Sequence, residues 1–241
     1  MSIFRFKQFA VRQEQCPMKV GTDGVLLGAW ARVGDDDDDR RILDIGTGTG
    51  LIALMMAQRA PEAAIEGVDI ADVAEARANA DASPWAARLS FHRMPVQQFR
   101  PADGRPYDLI LANPPYFVDS LTCPDEGRTR VRHAVALPFD ELRDAVVRLL
   151  APGGRFALIL PLEEAHAFDE LCRGLLVPVR RTGVRTTPRR PLRRLLTEYR
   201  HVEAGELPSE PECDELVIGT GEHECYTESY RALTRDFYLK F

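Results

Sequence analysis

Short apolar stretches alternate with longer segments whose apolar positions recur at helical spacing, and this alternation organises most of the chain. Residues 41–45 (RILDI), 64–68, 89–93, 107–112 (YDLILA) and 155–160 read as strands. Residues 51–59, 73–82, 139–150 and 163–175 read as the helices between them, closed by Pro61, by Ser83-Pro84 or by Pro152-Gly153-Gly154. Strands that alternate with helices imply a parallel sheet covered on both faces. Right-handed crossovers then place the first of these strands centrally and wind the sheet both ways. Residues 176–184 and 195–202 predict two more strands, joined by an arginine- and proline-rich loop in a hairpin-like finish. The expected fold is therefore α/β, a doubly wound, mostly parallel sheet of seven strands. It forms one domain over residues 1–241, with a short N-terminal extension over about residues 1–40.

Within that extension Phe4, Phe6 and Phe9 nearly alternate with polar residues, as in a short strand or extended arm. Residues 19–24 form a two-glycine turn, and Asp23 is placed to cap a helix over 25–31. Asp35–Asp39 is too charged to bury and reads as a surface loop. The aromatic tail, residues 226–241, is expected to dock rather than stay free.

Charge sharpens the picture. The net charge is −6, which argues against indiscriminate binding of nucleic acid, yet nine arginines and one acid fall between Arg173 and Arg200. Nine acids with no lysine or arginine follow between Glu203 and Glu228. A basic stripe on an acidic protein can track phosphates, and it can equally be a solvated strand face. The five cysteines are scattered with no C-x-x-C pair, so neither disulfides nor a metal site is expected. No apolar run approaches the ~18 residues of a membrane helix, and the N-terminus lacks the apolar core of a signal peptide. A cytoplasmic location follows as an expectation.

Two turns carry candidate chemistry. Asn113-Pro114-Pro115-Tyr116 leaves the strand 107–112, and its prolines fix the backbone and remove two donors. An amide side chain, free carbonyls and an aromatic face then meet at one point, which suits a flat heterocycle bearing an exocyclic amine. Asn113 Oδ1 and the Pro114 carbonyl can each accept one amine hydrogen while Tyr116 stacks on the ring. The second turn, Asp44-Ile45-Gly46-Thr47-Gly48-Thr49-Gly50, leaves the strand 41–45 and opens a helix. Its glycines allow close approach of a ligand, and the helix N-terminus favours an anion. A dinucleotide fingerprint needs a third glycine where Leu51 stands, so that fingerprint fails. An acid before G-x-G-x-G, with Asp69 ending the next strand to accept ribose hydroxyls and Ile70 beside it for an adenine, fits S-adenosylmethionine.

Over nearly its whole length the chain resembles the bacterial tRNA adenine-N6 methyltransferases that modify adenosine 37 of a valine tRNA. The resemblance is carried by Phe6-Lys7-Gln8-Phe9, the block Met18 to Gly24, ILDIGTGTGLIALMMAQR, the NPPY turn and the closing Phe237-Tyr238-Leu239-Lys240-Phe241. It implies a seven-stranded methyltransferase sheet, a tRNA anticodon loop as partner and S-adenosylmethionine as cofactor. It further implies that residues 18–24, with Lys19, Thr22 and Asp23, fold over the methionine end of the cofactor. Asp44, Gly46, Gly48, Gly50, Asp69, Ile70, Val96 and Asn113 complete the implied cofactor set. One position departs: where the family often has an acid for the adenine amine, this chain has Pro95, in Met94-Pro95-Val96-Gln97-Gln98. A backbone carbonyl or Gln97 is left to replace it.

For RNA contact the candidates are Arg128, Arg130 and Arg132 beyond NPPY, and Arg189 and Arg190 in the late basic stretch. His133 is not placed by spacing as a general base. A glutamine-directed protein methyltransferase shares the NPPY chemistry but carries a helical front domain, and only about forty residues precede the glycine turn here. An RNA guanine-N2 methyltransferase is a further alternative. A DNA enzyme would need a target-recognition region for which there is no room. No exposed heptad or apolar interface stands out, and a monomer is expected.

Overall fold

The computed structural model describes residues 2–16, 18–34, 40–115, 137–203 and 210–241. Strand β3 (Arg41–Ile45) is buried along its whole length, as a strand covered on both faces must be. Before it come β1 (Ile3–Arg5), β2 (Ala10–Arg12) and α1 (Thr22–Trp30). After it run α2 (Leu51–Arg59), β4 (Ala64–Asp69), α3 (Ala74–Asp81), β5 (Leu89–Arg93) and β6 (Tyr107–Ala112). Then follow α4 (Phe139–Leu149), β7 (Leu150–Pro161), α5 (Leu162–Cys172), β8 (Leu176–Arg185), β9 (Arg194–His201), β10 (Glu212–Val217) and α6 (Glu228–Thr234).

The main sheet has the order β10-β8-β9-β7-β6-β3-β4-β5. Every described pairing is parallel except those of β9, which runs against both β7 and β8. The chain winds outward from β3 through β4 to β5, then returns to β3's other side with β6. Such a reversal opens a crevice at the carboxyl ends of the two strands, where α/β sheets bind ligands. One face of the sheet packs on α1, α2, α3 and α6 through Leu27, Ile52, Ala76 and Tyr230. The other packs on α4 and α5 through Leu142, Val146 and Phe168.

The seven expected strands are present, and β10 adds an eighth at the edge. Nothing in its apolar pattern announces it, because only Leu216 of its six residues is buried. Its strand character comes from backbone pairing with β8 and from polar side chains reaching across: Glu215 pairs with Arg185 at 2.7 Å and Asp214 accepts from the Thr182 hydroxyl. Acidic β10 thus lies beside the basic strand.

Of the N-terminal phenylalanines, Phe4 lies in the short strand β1, which pairs antiparallel with β2, and Phe6 and Phe9 lie in the turn between them. Phe6, Phe9 and Val11 pack with Val25, Leu54, Met55 and Phe237, a second core on the outer side of α1 and α2. The aromatic tail docks as expected, since the Lys7 N–H donates to the Phe237 carbonyl at 2.8 Å and Phe6 stacks on Tyr238. Helix α1 begins at Thr22, earlier than expected, and no side chain caps it. Asp23 lies inside the first turn and accepts instead from Arg194 Nε at 2.8 Å, because that guanidinium reaches it from the base of the β8–β9 hairpin. The Asp35–Asp39 run lies outside the described residues. Among the described residues, no helix is long and apolar enough to cross a membrane.

Candidate active site

Ile45 of β3 lies in register with Ala112 of β6 on one side and with Val68 of β4 on the other. The next residue on each strand is Gly46, Asn113 and Asp69, so three of the expected site residues emerge side by side, about 4.8 Å apart at the backbone.

The turn after β3 requires glycine. Gly46, Gly48 and Gly50 have φ of 74°, 53° and 79°, the left-handed region that a side chain disfavours. The Gly46 N–H donates to the Val68 carbonyl at 2.8 Å, which ties the turn to β4. A methyl group built on Gly46 would meet nothing within 4 Å, so a ligand has room there, whereas one on Gly48 would lie 3.3 Å from Cys16 Sγ.

Asp44 sits beneath the turn, fully buried. Its Oδ2 accepts from the Thr47 hydroxyl at 2.7 Å and from the Ala53 N–H at 3.3 Å, while Oδ1 has no partner. Burial pushes its carboxyl up to about 7, against the pull of Thr47 and Ala53. A buried acceptor without a donor, next to an open glycine turn, fits a ligand that brings a donor.

Asp69 is held by both oxygens: the Gly48 N–H donates to Oδ2 at 2.9 Å and the Ala71 N–H to Oδ1 at 2.8 Å. A carboxylate has about four acceptor sites, so capacity remains for two hydroxyls. Ile70, next to it, is 52% exposed, an apolar surface beside a polar one. Val96 turns its side chain into the core, and its carbonyl already accepts from Arg148 at 2.9 Å, leaving the backbone N–H as what it can offer. The Pro95 carbonyl accepts from the Gln98 N–H and the Gln97 amide donates to Glu141, so both groups are partly engaged within the protein.

Asn113 and Pro115 are half-buried and Pro114 is buried. The α1 helix abuts this turn: a methyl group on Gly24 would come within 3.7 Å of Asn113 Nδ2. Lys19 and Thr22 are exposed on the approach to α1. Tyr116, Arg128, Arg130, Arg132 and His133 lie outside the described residues.

The basic stripe is largely engaged within the protein. Arg173 pairs with Glu170, Arg180 with Glu198, Arg181 with Asp169, Arg185 with Glu215 and Arg194 with Asp23. Arg189, Arg190 and Arg193 are exposed, and among the described residues they have no ion pair. They sit in the turn between β8 and β9, and Arg194 at its base pairs with Pro161 at the end of β7. The hairpin tip therefore projects at the same end of the sheet as Gly46, Asp69 and Asn113.

Sequence reasoning missed Glu75 and Asn79 of α3, both of which bond the chain next to the glycine turn. A signal was present: an asparagine four residues after a glutamate, on the same helix face as Ala76 and Ala80. Among the described residues, no group of three or more His, Cys, Asp or Glu is arranged to hold a metal ion.

Residues 30–137 match the family model of the methyltransferase small domain. The chain is 42% identical to the tRNA1(Val) (adenine(37)-N6)-methyltransferase of Parabacteroides distasonis, with 98% of each chain covered. It is 44% identical to the protein of that name from Phocaeicola vulgatus, covering 98% of this chain and 97% of the relative. A predicted O-methyltransferase of known structure from Agrobacterium tumefaciens aligns with a TM-score of 0.65 at 18% identity, covering 89% of this chain and 96% of that one. That likeness concerns the fold, a class I methyltransferase sheet.

Proposed function

The chain belongs to the tRNA1(Val) (adenine(37)-N6)-methyltransferase family, and on that footing we propose that it methylates N6 of adenosine 37 in a valine tRNA in the crevice between β3 and β6. The observation that supports this reading most is the emergence of Gly46 and Asn113 from adjacent parallel strands. The turn suited to a cofactor and the turn suited to an aminated ring are one strand spacing apart.

S-adenosylmethionine, when bound, supplies an activated methyl group on a sulfonium. The unpartnered Asp44 Oδ1 and the open space at Gly46 fit such a molecule. In this reading the open Gly46 would let it approach the backbone, while Gly48 and Gly50 hold the turn in its left-handed conformation. Asp69 would accept the ribose hydroxyls, and Ile70 and the Val96 N–H would serve its adenine. Lys19, Thr22 and Asp23 border its methionine end. The chain's own task is alignment. The N6 lone pair of adenine is delocalised into the ring, so Asn113 Oδ1 and the Pro114 carbonyl accept its two hydrogens and turn the lone pair outward. Tyr116 holds the base by stacking, an interaction worth ~1–3 kcal/mol. Near-attack positioning then contributes several kcal/mol without a strong base. A loop base costs less to unstack than one in a duplex.

Arg189 and Arg190, at the tip that faces the crevice end, are the phosphate contacts we assign, with Arg128, Arg130 and Arg132 added from sequence. A tRNA substrate accords with a cytoplasmic enzyme, and we read it as a single-domain monomer. The test is Asn113→Ala. Binding of S-adenosylmethionine, measured by calorimetry, should persist while methyl transfer to tRNA falls by at least about a hundredfold, and the methylated nucleoside made by the wild type should be N6-methyladenosine. Near-normal turnover would remove Asn113 from the mechanism.

A further inference from the structure

Two side chains of α3, one helical turn apart, hold the N-terminal arm by its backbone. Asn79, 2% exposed, accepts the Arg12 N–H at 2.8 Å. Its amide donates to the Arg12 carbonyl at 3.0 Å and to the Thr49 carbonyl at 2.9 Å. One amide thus joins the end of β2 to the glycine turn. Glu75 accepts three successive backbone N–H groups, from Glu14 at 2.6 Å, Gln15 at 3.0 Å and Cys16 at 2.7 Å. Burial raises its carboxyl, but the N–H bonds from Gln15, Cys16 and Glu14 outweigh that and hold it below the ordinary value, so it is ionised at neutral pH.

The consequence is placement. The arm ends with the Cys16 thiol standing over Gly48, while the space at Gly46 stays open. The hairpin itself does not need this grip, because Phe6, Phe9 and Val11 anchor it in their own apolar core. Glu75 and Asn79 bond only the backbone of residues 12 and 14–16, and the Gln13 side chain between them accepts the Val20 N–H at 2.7 Å. From there the chain runs to Lys19, Thr22 and α1, whose Gly24 abuts Asn113.

We infer that Glu75 and Asn79 are positioning residues for the cofactor: they dock residues 12–16 on the glycine turn and so build the Gly48-side wall of its pocket. This rests on the glycine turn being the S-adenosylmethionine site. The wall closes one side of the turn and leaves entry on the Gly46 side. It also makes the first two dozen residues part of the binding site.

The test uses the full chain and S-adenosylhomocysteine as the probe. In the wild type, the probe should slow alkylation of Cys16 and hydrogen exchange at the amides of residues 14–16 several-fold, both read by peptide mass spectrometry. Glu75→Ala and Asn79→Ala should each weaken probe binding by about tenfold and raise KM for S-adenosylmethionine similarly, with kcat at saturation nearly unchanged. Glu75→Gln, which keeps one acceptor oxygen, should recover part of the loss. A merely structural role would lower thermal stability without this KM-against-kcat split. Unchanged affinity in the folded alanine variants overturns the inference. Should those variants not fold, labelling of wild-type Cys16 and residues 14–16 that ignores the bound probe overturns it equally. A wild type that binds no probe would overturn the cofactor reading itself, a distinct failure.

Discussion

Replacing Asp44 by asparagine should make the cofactor-free protein more tolerant of high pH while impairing its cofactor site. Burial lifts the Asp44 carboxyl from the ordinary 3.8 to about 7, with the Thr47 and Ala53 bonds opposing. Between those values the folded chain keeps a proton that the unfolded chain has released. Stability attributable to this group therefore falls as pH rises through the window, and the loss is complete above about pH 7. Roughly three pKa units amount to about 4 kcal/mol. By the same linkage part of that is already lost at about pH 5, which leaves roughly 2–3 kcal/mol between pH 5 and pH 8. Asparagine never ionises and retains a carbonyl oxygen for Thr47 and Ala53. Its amide group, placed where Oδ1 has no partner, costs ~1–3 kcal/mol at every pH. That constant cancels when two pH values are compared. In urea denaturation without cofactor, Asp44→Asn should therefore gain on the wild type by roughly 2–3 kcal/mol between about pH 5 and about pH 8. At the higher pH, S-adenosylhomocysteine at a hundred times its Kd should stabilise the wild type by about 2.7 kcal/mol and the variant by much less. Parallel pH profiles for the two proteins would refute the buried, proton-holding Asp44 and the ligand-facing role built on it.

Two further outcomes are expected. Charge reversal at Arg189 and Arg190 together should weaken tRNA binding and lower the slope of log K against log salt by roughly 1–2, about 0.7 per lost phosphate contact. An unchanged slope, measured by filter binding over a salt series, would move the RNA surface elsewhere. Phe237→Ala should destabilise the fold by about 3–5 kcal/mol, because the ring is 2% exposed in the core shared by the hairpin, α1 and α2. A loss below about 1 kcal/mol in denaturant titration would show that the tail contributes little to that core.

Legibility followed the apolar pattern. Helix α2 and strand β6 have the bounds their patterns predict, because each is an apolar run bounded by turn residues. Strand β10 was hidden because its residues are polar, and it exists only where β8 offers it a backbone edge. Asp23 was read as a cap because capping is a local property. Its partner Arg194 is remote in sequence, and only folding brings the two together. Glu75 and Asn79 show their one-turn spacing in the sequence, but what they bond is backbone, so no complementary residue type names their partner.

By itself, the order of apolar runs and turns determined the parallel sheet, the failure of the dinucleotide fingerprint at Leu51 and the pairing of a glycine turn with NPPY. These are local or periodic properties, set by backbone sterics and the spacing of buried positions. Tertiary structure alone decided which charges are available. It paired Arg180, Arg181, Arg185 and Arg194 with Glu198, Asp169, Glu215 and Asp23 and left Arg189, Arg190 and Arg193 at the hairpin tip. It also brought Glu75 and Asn79 against residues 12–16, which closes one side of the glycine turn. Charge pairing and backbone docking depend on distances between residues far apart in sequence, and those distances exist only after the sheet has assembled.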